Sequence, residues 1–298
     1  MAKEKIATIP LQANWSRKAK AFSQLLKFRL SMLVAVSAVF GYAMAADGGA
    51  SWGLLAWMGI GGLLITGAAN GLNQLFEREY DGLMERTKSR PLPQKALSNG
   101  EALIFSLLIG ALGVGLIGYL FNLAAALLGI IGLLSYAFVY TPLKRITPFA
   151  VFVGAIPGAL PPLIGWAGFT GALGTEGWLL FIFQFFWQFP HFWAIAWLAD
   201  EDYQKAGFKM LPSPGGKTQS SARLMLVYAI CLIPLAYFPW QQEMLNGLQA
   251  IGLAVLGLAF AVPAFRLWKG LDRKFARQLM FASFLYLPLM ELVFLWGR

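Results

Sequence analysis

Residues 70–93 read NGLNQLFEREYDGLMERTKSRPLP and follow directly on an apolar run of membrane length. Asn73, Glu77 and Asp81 stand four residues apart. On a helix each such step turns only about 40°, so the three side chains share one narrow stripe. Glu85 extends the ladder by another four residues. Acidic residues at this spacing repel one another by about a few tenths of a kcal/mol per pair. A cation converts that repulsion into binding. Oxygen ligands on a short ladder suit Mg²⁺, which takes one or two protein carboxylates together with substrate phosphates. Arg86, Lys88 and Arg90 follow at once, and guanidinium forks match phosphate oxygens. A charge run is ordinarily a solvated loop with internal pairs such as Glu85 with Lys88. Here the polar ladder grows out of an apolar helix, which favours a site for a metal-bound diphosphate at a membrane surface.

Working outward, 298 residues that are 58% hydrophobic and 13% charged exclude an ordinary soluble domain. Nine apolar runs are each long enough to cross a bilayer: about 28–46, 53–73, 102–121, 123–140, 147–168, 177–198, 222–240, 247–266 and 276–297. The third and fourth are separated by almost nothing. In lipid every backbone polar group must be satisfied within the segment, so these runs are helices. The expectation is an all-α polytopic membrane protein, a single transmembrane domain over 28–298 preceded by an interfacial arm over 1–27. The arm carries Trp15, Arg17, Lys18, Lys20 and Lys27 and lacks the apolar stretch of a cleavable signal. The net charge of +10 suggests nucleic acid, but its distribution excludes that partner. Every lysine and arginine except Arg298 falls on one side of the nine-helix map. That bias places the N-terminus in the cytoplasm and the C-terminus outside, and it attracts anionic lipid. The lone Cys231 cannot form an internal disulfide and reads as a small buried hydrophobe.

Pro157, Pro161 and Pro162 in the fifth run predict a broken hydrogen-bond ladder. The freed carbonyls need protein or a cavity to receive them, so this helix is expected to line a cavity. Gly110, Gly113 and Gly115 predict close helix packing. The sixth run is dense in phenylalanine and tryptophan from Phe181 to Trp197, either as bulk or as walls for an apolar chain and a developing carbocation. Within it lies WQFPHFW, residues 187–193, holding His191, the one histidine of the chain. A lone histidine on an apolar helix is most simply a packed residue. Glu291, the one acid inside the last run, is a functional candidate or a snorkelling group near the outer end.

Three of these stretches carry a family resemblance. Asn-x3-Glu-x3-Asp followed by Met-x-Arg-Thr-x2-Arg-Pro-Leu-Pro resembles the first signature of the UbiA superfamily of membrane prenyltransferases. Glu77 stands where that superfamily more often has Asp, and both residues ligate Mg²⁺. Tyr140 and Lys144 match its Tyr-x3-Lys element, and Lys27-Phe28-Arg29 resembles a Lys-Pro-Arg lead-in without the proline. The stretch 147–166, the element Gln188-x-Pro190-His191-Phe192, and Asp202-Tyr203-x2-Ala206-Gly207-x2-Met210-Leu211-Pro212 resemble the branch that farnesylates haem. The quinone-making relatives usually have a fuller second aspartate motif here.

The resemblance spans about residues 25 to 215. It implies a UbiA-like helical bundle and Mg²⁺-dependent transfer of a farnesyl group from farnesyl diphosphate to a vinyl group of haem b, with water capture and diphosphate release. Haem b is then substrate rather than cofactor. The implied metal side is Asn73, Glu77, Asp81 and Asp202, with the number of ions open. Arg86, Arg90, Lys144 and Arg145 are expected on the diphosphate, and Tyr140, Trp187, Gln188 and His191 on substrate. His191 is expected to ligate haem iron or to transfer a proton. The implied setting is a bacterial inner membrane, with a downstream haem-modifying enzyme or oxidase assembly as partner. Two rivals stand beside this reading: a prenyltransferase for a quinone precursor, and a transporter, which a broken helix would suit. Charges gathered at one face fit a surface-supplied reaction site better than a transport path.

Overall fold

The computed structural model describes residues 11–296. In order come α1 (Leu11–Leu25), α2 (Phe28–Ala46), α3 (Trp52–Asp81), α4 (Asn99–Leu120) and α5 (Leu123–Leu134), then a π-helical turn (Ser135–Tyr140) leading into the short α6 (Thr141–Leu143). They are followed by α7 (Ala150–Thr170), α8 (Thr175–Leu198), α9 (Asp200–Lys205), α10 (Gln219–Leu235), α11 (Tyr237–Gln241), α12 (Gly247–Gly270) and α13 (Arg273–Leu295). Among the described residues nine helical stretches are long and apolar enough to cross a membrane, with Leu123–Leu143 acting as one span. The expected nine-span, all-α architecture therefore holds. Residues 1–10, the side chain of Trp15 and the outer charge Arg298 lie outside the described residues.

Helix boundaries follow local chemistry. The joint between α4 and α5 is made by Asn122, whose Oδ1 accepts from the Ala125 amide and whose Nδ2 donates to the carbonyls of Ala167 and Gly168. One side chain thus starts α5 and satisfies carbonyls in the last turn of α7. Ser98 and Glu101 form a reciprocal capping box at the start of α4. The expected arm is in its second half an attached helix: Ala21 and Leu25 of α1 are buried with Leu75, Leu92, Leu97 and Ala102, and Lys18 pairs with Glu101 at 2.5 Å.

The prolines of the fifth span open its hydrogen-bond ladder without interrupting the helix. α7 runs unbroken through Pro157, Pro161 and Pro162. Pro162 has no amide hydrogen for the Gly158 carbonyl four residues back, and Gln184 of α8 supplies one instead, its Nε2 lying 2.8 Å from that oxygen. Protein, not a cavity, receives the freed group. α7 also meets α2 backbone to backbone. A Cβ on Gly41 would lie 1.9 Å from the Pro162 carbonyl oxygen, and one on Gly165 equally close to that of Ala38, so only glycine fits at this crossing. Gly110 and Gly113 pack as expected against α3, while Gly115 faces open space.

The aromatic density of α8 is mainly bulk. Phe183, Phe189, Trp193 and Trp197 are buried in the largest core cluster with residues of α10, α12 and α13. Cys231, expected to be buried, is only partly so on α10. Glu291 does not snorkel: it is buried and accepts a hydrogen bond from Ser37 of α2 at 2.8 Å.

Candidate active site

The polar stripe of α3 is buried at one end of the bundle. Asn73, Glu77 and Asp81 are 2%, 5% and 0% exposed, and the helix carries them as one face down to its last residue. Because α3 stops at Asp81, Glu85 leaves the stripe and forms an exposed pair with Lys88 at 2.5 Å. The ladder therefore has three rungs rather than four.

Each rung meets a partner from another segment. Arg90 folds back from the 82–98 loop so that one guanidinium nitrogen lies 2.7 Å from both oxygens of Asp81. Thr87 tightens the same loop by donating to the Asp81 carbonyl at 2.8 Å. Lys144 forms a buried ion pair with Glu77. Its ammonium also lies over the rings of Tyr140, at 4.8 Å, and Phe208, at 5.4 Å. Asn73 donates from Nδ2 to the Thr141 hydroxyl at 3.1 Å, which leaves Oδ1 as the atom able to act as a ligand. Thr141 in turn donates to the Tyr136 carbonyl inside the π-helical turn. Such turns are wider than an α-helix and gather at functional sites. This one brings Tyr140 against Gly154, where a Cβ would lie 2.5 Å from the ring.

Lys27 joins the cluster from the junction of α1 and α2, where it takes a left-handed conformation with φ 47°. Burial, reinforced by Arg90 and Lys144, pushes its ammonium down to about 7, against the opposing pull of Glu77 and Asp81. The sequence placed Lys27 in the interfacial arm, and its one site signal was the resemblance of Lys27-Phe28-Arg29 to a Lys-Pro-Arg lead-in at the head of the first span.

A cavity of about 600 Å³ opens beside the stripe, lined by Phe76, Glu77, Tyr80, Phe138, Thr141 and Arg145 among others. Arg145 stacks its guanidinium 4.1 Å from the centre of the Tyr80 ring. The cavity is therefore polar at the stripe and apolar toward Phe76 and Phe138.

Asp202, expected on the metal side, is engaged by the backbone of the 82–98 loop. Its two oxygens accept from the backbone amides of Glu85, at 3.3 Å, and Arg86, at 3.1 Å. Those amides, with Lys205, hold its carboxyl below the usual aspartate range. It is a tether between the 82–98 loop and α9, reinforced by Arg86 donating to the Tyr203 hydroxyl at 3.2 Å. Among the described residues no group of three or more His, Cys, Asp or Glu side chains is placed to hold a metal. Of the four residues expected on the metal side, Asn73, Glu77 and Asp81 share the α3 stripe and Asp202 lies on α9.

Trp187, Gln188 and His191 form a different neighbourhood. Gln188 donates to the carbonyl of Ala155 on α7 and to that of Gln184 one turn earlier on α8, each at 3.1 Å. Trp187 donates to the Ser283 carbonyl at 2.9 Å and stacks on His191 with ring centres 4.7 Å apart. The structure thus brings Asn73, Glu77, Asp81, Arg90, Tyr140 and Lys144 together and sets Arg145, Arg86 and Asp202 at the rim. His191 is placed on the face of α8 toward α13.

Comparison with known proteins fits this geometry. Residues 34–286 match the UbiA prenyltransferase family. A protein of Cytophaga hutchinsonii named protoheme IX farnesyltransferase is 45% identical over 275 residues, covering 92% of this chain and 96% of that one. A solved structure described as concerning digeranylgeranylglyceryl phosphate synthase in membranes superposes with a TM-score of 0.76 at 19% identity, over 94% of this chain and 98% of that one. A UbiA homolog from Archaeoglobus fulgidus bound to GPP and Mg²⁺ gives 0.69 at 18% identity, over 92% and 99%. At such identities the two structures share the fold.

Proposed function

This chain belongs to the UbiA prenyltransferase family, and from that premise we propose that it works as a protohaem IX farnesyltransferase, a haem O synthase. The observation that carries the chemistry is the pair of buried ion pairs, Glu77 with Lys144 and Asp81 with Arg90, at one end of an apolar bundle. The relative of Cytophaga hutchinsonii, near full length on both chains, supports haem as the acceptor. The site is proposed to face the cytoplasm, because the basic loops gather there under the positive-inside rule.

The stripe fits Mg²⁺ by its donor set: two carboxylates one helical turn apart, with the Asn73 amide oxygen one turn before them. Bound there, the metal supplies charge neutralisation for a departing diphosphate. Everything else is done by the chain. In the substrate-free state each carboxylate is neutralised by a cation. With Mg²⁺ bound, Glu77 and Asp81 would be its carboxylate ligands, and Lys144 and Arg90 would then be free to pair with the diphosphate oxygens. Neither charge is left buried and unpaired. Arg86 and Arg145 hold the rim.

The allylic C–O bond of farnesyl diphosphate breaks and its electron pair leaves with diphosphate. The haem vinyl π pair forms the new C–C bond to the farnesyl C1. The cation left beside the porphyrin takes a water oxygen and loses a proton, giving a hydroxyethylfarnesyl chain. Fixed cations aimed at the leaving group stabilise the charge as it develops, and the apolar cavity withholds water until the carbon–carbon bond exists.

The decisive experiment incubates purified protein with haem b, farnesyl diphosphate and Mg²⁺ and identifies the pigment by mass. The expected product is haem O. Unchanged haem in that assay, or prenylation of a quinone precursor alone, overturns the reading. Asp81→Asn is expected to abolish nearly all turnover while leaving expression intact.

A further inference from the structure

The histidine of α8 is held by a two-step relay from α13. His191 Nδ1 lies 2.7 Å from the Ser283 hydroxyl oxygen, and that oxygen lies 2.5 Å from the Met280 carbonyl oxygen. Two oxygens that close require a hydrogen between them, and a carbonyl has none to give. The single hydroxyl hydrogen of Ser283 therefore points at Met280. Toward His191 the serine presents only lone pairs, so Nδ1 must be the nitrogen that carries hydrogen.

We propose that Ser283 is a positioning residue that fixes His191 in the Nδ1–H tautomer and leaves the reactive lone pair on Nε2. The rest of the pocket holds the ring's orientation. Trp187 stacks on it at an interplanar angle of 17°, and Phe284 meets it edge-on at 5.2 Å. Trp187 also donates its indole hydrogen to the backbone carbonyl of Ser283. Two residues one turn apart on α8 thus grip one residue of α13, and Ser283 itself is fully buried. A packed histidine needs no more than one backbone acceptor. A ring whose tautomer is fixed through a second side chain and whose face is clamped by an indole has the construction of a metal-binding or proton-accepting imidazole, where the partner of one nitrogen defines the other.

The consequence for turnover rests on the haem-farnesylating reading given above. Both roles open to His191 there, binding haem iron and taking a proton during water capture, require a lone pair on Nε2.

Because His191 is the one histidine of the chain, the test needs no assignment. The full chain is prepared without a polyhistidine tag, with ¹⁵N-labelled histidine, in lipid nanodiscs and without haem. The two ring nitrogens are then read by long-range ¹H–¹⁵N correlation with the imidazole neutral. The expected wild-type pattern has a protonated Nδ1 and a pyridine-like Nε2, and Ser283→Ala is expected to move the population toward Nε2–H. Ser283→Thr, which keeps the hydroxyl, is expected to restore Nδ1–H. A wild-type ring protonated on Nε2, or a tautomer unmoved in Ser283→Ala, overturns the proposal; the first outcome needs no variant to fold. Farnesylation of haem by Ser283→Ala is expected to fall by about tenfold or more, the usual cost of losing a partner of this kind. A shifted tautomer with unchanged turnover upholds the positioning and removes His191 from the reaction.

Discussion

Gln184 donates its side-chain amide to the carbonyl of Gly158 at 2.8 Å, the carbonyl that Pro162 leaves without a partner inside α7. This contact accounts for how Pro162 sits inside an unbroken, heavily buried span. The expected effect of Gln184→Leu is a loss of about 1–3 kcal/mol from the orphaned carbonyl, seen as a lower melting temperature in detergent. Adding Pro162→Ala returns a backbone amide to Gly158, so the double variant should melt above Gln184→Leu. Equal melting of the two would detach the amide from the proline.

The buried pair Glu77–Lys144 makes a second coupled prediction. Lys144→Met leaves a carboxylate without its cation and is expected to cost about 3–5 kcal/mol. Glu77→Gln combined with Lys144→Met should recover most of that loss, because no charge is then left alone. Activity should not recover, since both groups handle the metal–diphosphate. Thermal unfolding together with turnover separates the two effects, and a double variant as unstable as Lys144→Met would reject the pairing.

Residues 74–100 and 199–221 are knitted at one end of the bundle by Asp202 with Glu85 and Arg86, the end proposed to face the cytoplasm on the basic bias of its loops. Single cysteines at Ser89 and Gly215, in a Cys231→Ser background, are expected to react only with reagents applied from the inside. Labelling of either from the outer side inverts the orientation.

The spans were legible because lipid demands both length and apolarity, and both are local properties of the chain. The stripe Asn73–Glu77–Asp81 was legible because helical periodicity alone puts it on one face. Its pairings were not. Arg90 and Lys144 were foreseen as phosphate groups, but which carboxylate each neutralises depends on how the 82–98 loop folds back and how α6 meets α3. Lys27, noted in the sequence only as part of a lead-in resemblance, was given no place in the cluster because that place comes from a left-handed turn before α2, which lysine does not announce. Pro157, Pro161 and Pro162 suggested a cavity because the group that meets the carbonyl freed by Pro162, Gln184, lies on another helix. Gln188 looked like a substrate group for the same reason: its amide is accounted for only once α7 and α8 are docked.

Asp202 shows how a motif position can change meaning when the chain folds. Expected on the metal side, it instead holds two backbone amides of the loop that carries Arg86 and Arg90. Its folded pKa lies below the unfolded value of 3.8, so the folded state binds fewer protons through this group at intermediate acidity. Its contribution to stability is therefore fully present above the unfolded value and is lost as pH falls through the folded one. The tether should be intact at neutral pH and release only in acid. Hydrogen exchange at the Glu85 and Arg86 amides reads it directly. Asp202→Ala is expected to expose both amides at neutral pH and to raise the KM for farnesyl diphosphate with a smaller change in kcat, because a loosened loop positions its arginines less often. Raised Mg²⁺ should not rescue this variant, whereas it would rescue a weakened metal ligand. Rescue by Mg²⁺, with the two amides still protected, would return Asp202 to the metal and remove the tether.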